Sequence, residues 1–182
     1  MDILINNAGV GLFAPVETSQ EEAVRAMFET NFFAPLRAAR AVSPAMRRQG
    51  GGQIINVSSV VGLIALPLLT TYSATKFALN ALTDGLRAEV ADDGIDVISV
   101  CPGRVKTSFQ ENVLQNVIRE DRSGGISAER VAEAILKASR RRKRLVVVPA
   151  YLKWGIAVAN ALPALKEWGR RQMWRRAAKK DA

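Results

Sequence analysis

The chain has 182 residues, 48% apolar and 24% charged, with a net charge of +9. That length fits one globular domain, and neither a low-complexity tract nor an internal repeat interrupts it. A lone Cys101 excludes an intramolecular disulfide and the lack of histidine excludes a Cys/His zinc site, so no metal centre is expected.

Taken in chain order, residues 3–6 form an apolar run that ends in Asn6-Asn7-Ala8-Gly9, which reads as a strand closing in amides and small residues. Thr18-Ser19-Gln20-Glu21-Glu22 opens a helix, and Ser19 with Glu22 has the form of a capping box. The stretch up to Arg48 is apolar at helical spacing through Ala23, Met27, Phe28 and Leu36, with Asn31 as a polar exception in its middle. Residues 54–57, preceded by three glycines, read as a short buried strand that runs into Ser58 and Ser59, of which Ser58 is the expected cap of the next element. A second long helix is expected from Tyr72 to about Val90, ended by Asp92-Asp93-Gly94. Residues 97–101 form another strand, closed by Pro102-Gly103 and followed by Val105 and Thr107. Residues 108–126 read as polar and irregular, with Arg122-Ser123-Gly124-Gly125 supplying flexible backbone. Ser127 then opens a helix to about Arg141, and 145–148 is a last strand. The alternation says α/β with a parallel sheet flanked by helices.

Charge is unevenly spread. Residues 1–138 hold 13 Lys/Arg against 15 Asp/Glu, whereas 139–182 hold 13 Lys/Arg against Glu167 and Asp181 alone. Trp154, Trp168 and Trp174 are interleaved with those cations, and the apolar run 154–165 is shorter than the roughly 20 residues that span a bilayer. Two readings of this basic helical tail stand open. It could lie in an anionic membrane surface, or it could close a pocket or a dimer edge with its cations solvated. Nucleic-acid binding is not expected, because no recognised module accompanies the charge. No signal peptide is visible, so a cytoplasmic location is the default, with membrane association through the tail as its extension.

Tyr72 and Lys76 stand one helical turn apart in Thr71-Tyr72-Ser73-Ala74-Thr75-Lys76. An ammonium beside a phenol favours the phenolate, so the Tyr72 pKa is expected below its free value of about 10. Such a tyrosine could exchange a proton with an alcohol or a carbonyl. Ser59 lies thirteen residues before it, just past the carboxyl end of a strand, where open α/β sheets bind ligands.

In this order and spacing, Asn6-Asn7-Ala8-Gly9, Asn31, Ser59, Tyr72-x-x-x-Lys76 and Pro102-Gly103 with Thr107 resemble the short-chain dehydrogenase/reductase family. The resemblance runs to about residue 148, which divides the chain into a partial Rossmann-type domain, 1–148, and a basic, tryptophan-containing helical extension, 149–182. It implies an oxidoreductase that transfers a hydride between NAD or NADP and an alcohol or carbonyl. Tyr72 would be its general acid/base. Lys76 would hold the nicotinamide ribose, Ser59 would bind the substrate oxygen, and Asn31 would position a water relay. Asn7, Ala8 and Gly9 would lie along the adenosine side of the cofactor, and Pro102, Gly103, Val105 and Thr107 along the nicotinamide. A homo-oligomer through the helices at 20–48 and 72–90 is implied as well. The apolar tail adds the expectation of a lipophilic substrate.

One departure accompanies the match. The family's glycine-rich phosphate turn follows its first strand, and this chain has none; the Asn-Asn-Ala-Gly strand is the fourth in the family. Three β-α units, about 80 to 90 residues, would precede Met1. The expectation is therefore a longer product or a truncated one, with weakened cofactor binding and an apolar sheet edge at residues 3–6. The choice between NAD and NADP lies in the missing part. The competing reading is a noncatalytic module acting in dimerisation or membrane-surface association.

Overall fold

The computed structural model describes residues 1–117 and 124–178. Its central sheet is parallel throughout, in the order β1 (Ile3–Asn6), β3 (Gly52–Val57), β4 (Ile95–Pro102), β8 (Leu145–Val148). The short strand β2 (Gly11–Phe13) lies outside it, paired in parallel with β6 (Val113–Asn116), and β5 (Val105–Lys106) pairs with β7 (Ile126–Ser127). The expectation of an α/β fold with helices on a parallel sheet is met.

Side chains alternate across the strands, as a period of two requires. Ile54 and Val97 face α2 (Ala34–Arg48) and α3 (Thr70–Glu89), where they pack with Ala39, Met46 and Leu86. Ile55, Ile98 and Val100 face the opposite way, onto Ala134, Ile135 and Ala138 of α4 (Ala128–Arg140). The polar members of the strands follow the same alternation. Asn6 donates to Asn56 (2.8 Å), Asn56 donates to Thr83 of α3 (2.9 Å), and Ser99 donates to Asn80 (2.7 Å). These amides and hydroxyls are satisfied in pairs, which is what makes their burial tolerable. They fix the rotation of α3 against the sheet.

The first long helix is interrupted. α1 (Glu21–Phe28) passes through a π-helical turn, Glu29–Phe33, before continuing as α2. The wide turn brings Asn31 fully into the interior. Ser127 caps α4 as expected, accepting from the Arg130 backbone N–H at 3.3 Å. β8 is followed by α5 (Tyr151–Ala161) and α6 (Pro163–Ala178), which make the tail helical.

Three expectations are corrected. The capping box does not form: α1 begins at Glu21 behind Gln20, whose backbone N–H donates to Gln115 Oε1, while the Ser19 hydroxyl turns back to Pro15 O (2.8 Å). The second long helix starts at Thr70, two residues earlier than the sequence suggests. Residues 108–126 are not irregular throughout, since a 3-10 turn Ser108–Asn112 leads into β6 and β7 ends the segment. Arg122 and Ser123 lie outside the described residues. β1 borders the sheet with Ile3 and Ile5 47% and 49% exposed. That is the apolar edge expected there. Among the described residues no helix is long and apolar enough to cross a membrane.

Candidate active site

The carboxyl ends of β1, β3 and β4 open on one cleft of about 810 Å³. Asn7, Ala8 and Gly9 line it from β1, Ser59 from the end of β3, Tyr72 and Lys76 from α3, and Pro102, Gly103, Val105 and Thr107 from the end of β4 and the loop beyond. Residues up to a hundred positions apart in sequence thus share one wall-to-wall space, as expected at the strand ends of an open sheet.

Tyr72 sits in the first turn of α3 with its ring against Phe13 (centroids 6.1 Å apart) and Phe109 (6.0 Å). Burial pushes its phenol up to about 12, and a hydrogen bond with the Ser59 hydroxyl offsets part of that rise. The expected lowering by Lys76 is therefore overturned. Lys76 is only 3% exposed, and its Nζ donates to Val57 O (3.1 Å) from 5.9 Å off the Tyr72 ring centroid. Its own desolvation lowers its pKa to about 8, with a small opposing contribution from neighbouring Cys101. For both groups burial is the largest influence. Near neutral pH the phenol is a proton donor, and the lysine is poised close to its titration point.

Ser59, not Ser58, is the cap: its Oγ accepts from the Val61 backbone N–H (3.3 Å) at the 3-10 turn Val60–Gly62 and donates to Pro102 O (3.4 Å). Its β-region backbone at the strand end aims the hydroxyl at the turn, whereas Ser58, also at the cleft, donates to Lys76 O (3.3 Å). The two serines tie the strand end to β4 and to α3.

Asn31 does not line the cleft. It stands directly behind it, donating from Nδ2 to Val10 O (2.9 Å) and to Thr75 Oγ1 (3.1 Å) and accepting from Val10 N at Oδ1 (3.0 Å). Thr75 in turn donates to Tyr72 O (2.8 Å). One amide thus clamps the loop after β1 to the turn of α3 that carries Tyr72 and Lys76. A Cβ at Gly9 would lie 3.2 Å from Asn31 Oδ1 and 3.6 Å from Lys76 Nζ, so the glycine leaves bare backbone facing both.

The sequence did not single out Phe13, Leu66, Leu69 and Phe109, which supply apolar cleft walls around Tyr72. Gly11-Leu12-Phe13 is too short for a strand period to register, and an isolated Phe109 carries no pattern. Thr75 could have been found: it falls three residues after Tyr72, on the same helical face.

A family model described as short chain dehydrogenase matches residues 1–117. Dehydrogenase/reductase SDR family member 7B of Xenopus laevis is 36% identical over 172 residues, which is 91% of this chain and 53% of that protein. A 3-ketodihydrosphingosine reductase of Bacteroides thetaiotaomicron is 42% identical over 112 residues, 62% of this chain and 42% of the relative. Among solved structures, a short chain dehydrogenase from Burkholderia cenocepacia J2315 in complex with NADP superposes with a TM-score of 0.79 at 35% identity, covering 93% of this chain and 70% of that one. The chain spans about half the length of the curated relatives it matches.

Proposed function

The chain belongs to the short-chain dehydrogenase/reductase family, and on that premise we propose that it is the proton-transfer part of an oxidoreductase interconverting an alcohol and a carbonyl compound with NAD or NADP. One observation carries the reading: a buried phenol and a buried lysine from the same helix share one cleft with a serine hydroxyl from the adjoining strand end.

Each residue has work consistent with its place. Ser59 holds the substrate oxygen beside the phenol. Tyr72, protonated at neutral pH, delivers its proton to a carbonyl oxygen as that carbon is reduced, and takes a proton from an alcohol in the reverse direction. Lys76, when charged, offsets the negative charge left on the phenol. Asn31 keeps these groups aligned through Val10 and Thr75 rather than by touching substrate. Asn31 also positions a water that links Lys76 to solvent.

The nicotinamide end of the cofactor fits the residues present. The bare backbone at Gly9 beside Lys76 Nζ gives a ribose room to approach. Asn7 and Ala8 continue that edge, while Pro102, Gly103, Val105 and Thr107 border the cleft across from it. When bound, the nicotinamide supplies or accepts the hydride.

The apolar walls of Phe13, Leu66, Leu69 and Phe109 favour a lipophilic substrate, and the reductase named for 3-ketodihydrosphingosine is a relative that points the same way. Exposed Phe33 and Phe77, on the helices at 20–48 and 72–90, support a homo-oligomer joined there. The division into a catalytic part, 1–148, and an extension, 149–182, belongs to the same proposal, as does a cytoplasmic protein whose tail reaches a membrane surface. The noncatalytic reading draws its support from the exposed apolar edge of β1.

Turnover separates the two. The protein should oxidise a lipophilic secondary alcohol with NAD or NADP, and Tyr72→Phe should lower kcat by about 100-fold to 10,000-fold while cofactor affinity, read by calorimetry, stays within a factor of a few. An unchanged kcat in Tyr72→Phe removes Tyr72 from the chemistry. No turnover by the parent with either cofactor favours the noncatalytic module.

A further inference from the structure

We propose that the outer face of α5–α6 docks on an anionic lipid bilayer and holds the wall of the cleft at that surface. This rests on the oxidoreductase reading only for the identity of the cleft; the docking itself stands on the tail.

The inner face of the tail is already occupied. Leu152 packs so close to cleft-lining Gly103 that a Cβ there would stand 2.9 Å from its Cδ1. Asn160 Nδ2 donates to Leu63 O (3.3 Å), and Arg170 Nε donates to Ala65 O (3.0 Å). Leu63 and Ala65 lead directly into Leu66, part of the cleft wall. The inner face of the tail therefore braces the segments that carry the cleft wall, while no described residue of the tail lines the cleft itself.

The outer face has a different chemistry. Tyr151, Trp154 and Val158 follow one another at helical spacing, and Tyr151 and Trp154 are 71% and 74% exposed. Leu162, Leu165 and 61%-exposed Trp168 continue the apolar surface across the turn into α6. Six Lys/Arg and one acid, Glu167, lie within residues 151–178; of these Arg170 belongs to the inner face, and Glu167 pairs with Arg171 (3.1 Å). Exposed tryptophans flanked by arginines suit the boundary between lipid headgroups and acyl chains, where an indole can be half apolar and half wet. Anionic headgroups balance the excess of cations over this one acid.

Charge also decides against the other occupant. A second copy pairing through this face would bring two sets of cations together, and like-charge juxtaposition is costly. With no helix able to cross a bilayer among the described residues, the contact is one of lying on the surface. An enzyme whose cleft wall is braced by that segment would meet lipophilic substrates where they dissolve.

The chain carries its own reporter, since its three tryptophans, Trp154, Trp168 and Trp174, all lie in this tail. The whole protein is mixed with phosphatidylcholine vesicles, with and without phosphatidylserine, at low and high salt. Flotation and the tryptophan emission maximum are then read. Docking predicts flotation and a blue shift with phosphatidylserine at low salt, both lost at high salt. Arg175→Gln with Arg176→Gln should lower partitioning by about fivefold per charge. Trp154→Ala with Trp168→Ala should lower it by roughly tenfold or more, with the circular dichroism of the core unchanged. No flotation at low salt, or equal flotation of the tryptophan variant, overturns the proposal. So does concentration-dependent self-association that the tryptophan variant abolishes, because that would assign the face to a second copy. Flotation by a protein without turnover supports docking and sinks only the oxidoreductase reading.

Discussion

Lys76→Met tests how far burial governs charge in the cleft. Desolvation holds the Lys76 pKa near 8 against an ordinary 10.5, a gap worth about 3 kcal/mol against folding while the amine is charged. Below about pH 8 the folded and unfolded chains both hold the proton, and the whole penalty applies. Between pH 8 and 10.5 the folded chain has released the proton that the unfolded chain still binds, so stability rises with pH across that window. Methionine keeps an apolar stem but loses the bond to Val57 O, worth about 1.5–3 kcal/mol for a charged donor. The two terms nearly offset at pH 7, where the variant should match its parent within about 2 kcal/mol. By pH 10.5 the parent has shed its penalty, and the difference should have moved about 3 kcal/mol against the variant. Burial also raises the Cys101 thiol, whose effect has the opposite sign: the unfolded thiol ionises first, and stability falls as pH rises past its ordinary value. Subtracting variant from parent removes most of that contribution. Urea denaturation followed by far-UV circular dichroism, at intervals from pH 7 to 10.5, gives the two curves. A difference that does not change with pH would mean that Lys76 titrates as it does in water, and the account of the cleft's electrostatics would fall.

Three further perturbations follow from the geometry. Asn31→Ala leaves the Val10 N–H and C=O without their partner, so unfolding free energy should drop by about 2–4 kcal/mol; a urea midpoint like the parent's would contradict the clamp. Gly62→Ala would place a Cβ 2.7 Å from Asn80 Nδ2 and 2.8 Å from Lys76 O; a loss of about 1–3 kcal/mol is expected, and a parental midpoint would show that α3 yields to the added methyl. Phe109→Ala removes one of the apolar walls against Tyr72, and KM for a lipophilic alcohol should rise by roughly tenfold with kcat little changed. An unchanged KM would place the substrate's apolar part elsewhere.

The strands and long helices were legible because β-branched runs and helical periodicity report burial locally. The elements that escaped were those made by pairing at a distance. β2 and β6 are three and four residues long and exist because they hydrogen-bond each other across about a hundred positions, with only weak local pattern to announce them. The cleft was legible through Tyr72, Lys76, Ser59 and the two loops because their types and order carry the chemistry. Its electrostatics were not. Spacing puts Lys76 beside Tyr72, but desolvation depends on what covers both, and the sheet and aromatic walls that do so come from five separate segments. Asn31 was noticed as a poor helix former, yet its partners lie on a loop and on another helix, beyond any local signal.

The π-turn at Glu29–Phe33 lets one helix serve two surfaces. An ordinary α-helix advances about 100° per residue, so any inserted residue would swing everything downstream onto a new side. A widened turn absorbs the insertion where it occurs, so that Met27 before it and Ala39 and Met46 after it all stay buried. Shortening the segment by one residue would leave the flanking helices facing as they do now while withdrawing the amide that pins the loop after β1. Packing of the flanking helices and alignment of the loop after β1 are thereby handled at successive points along a single continuous rod.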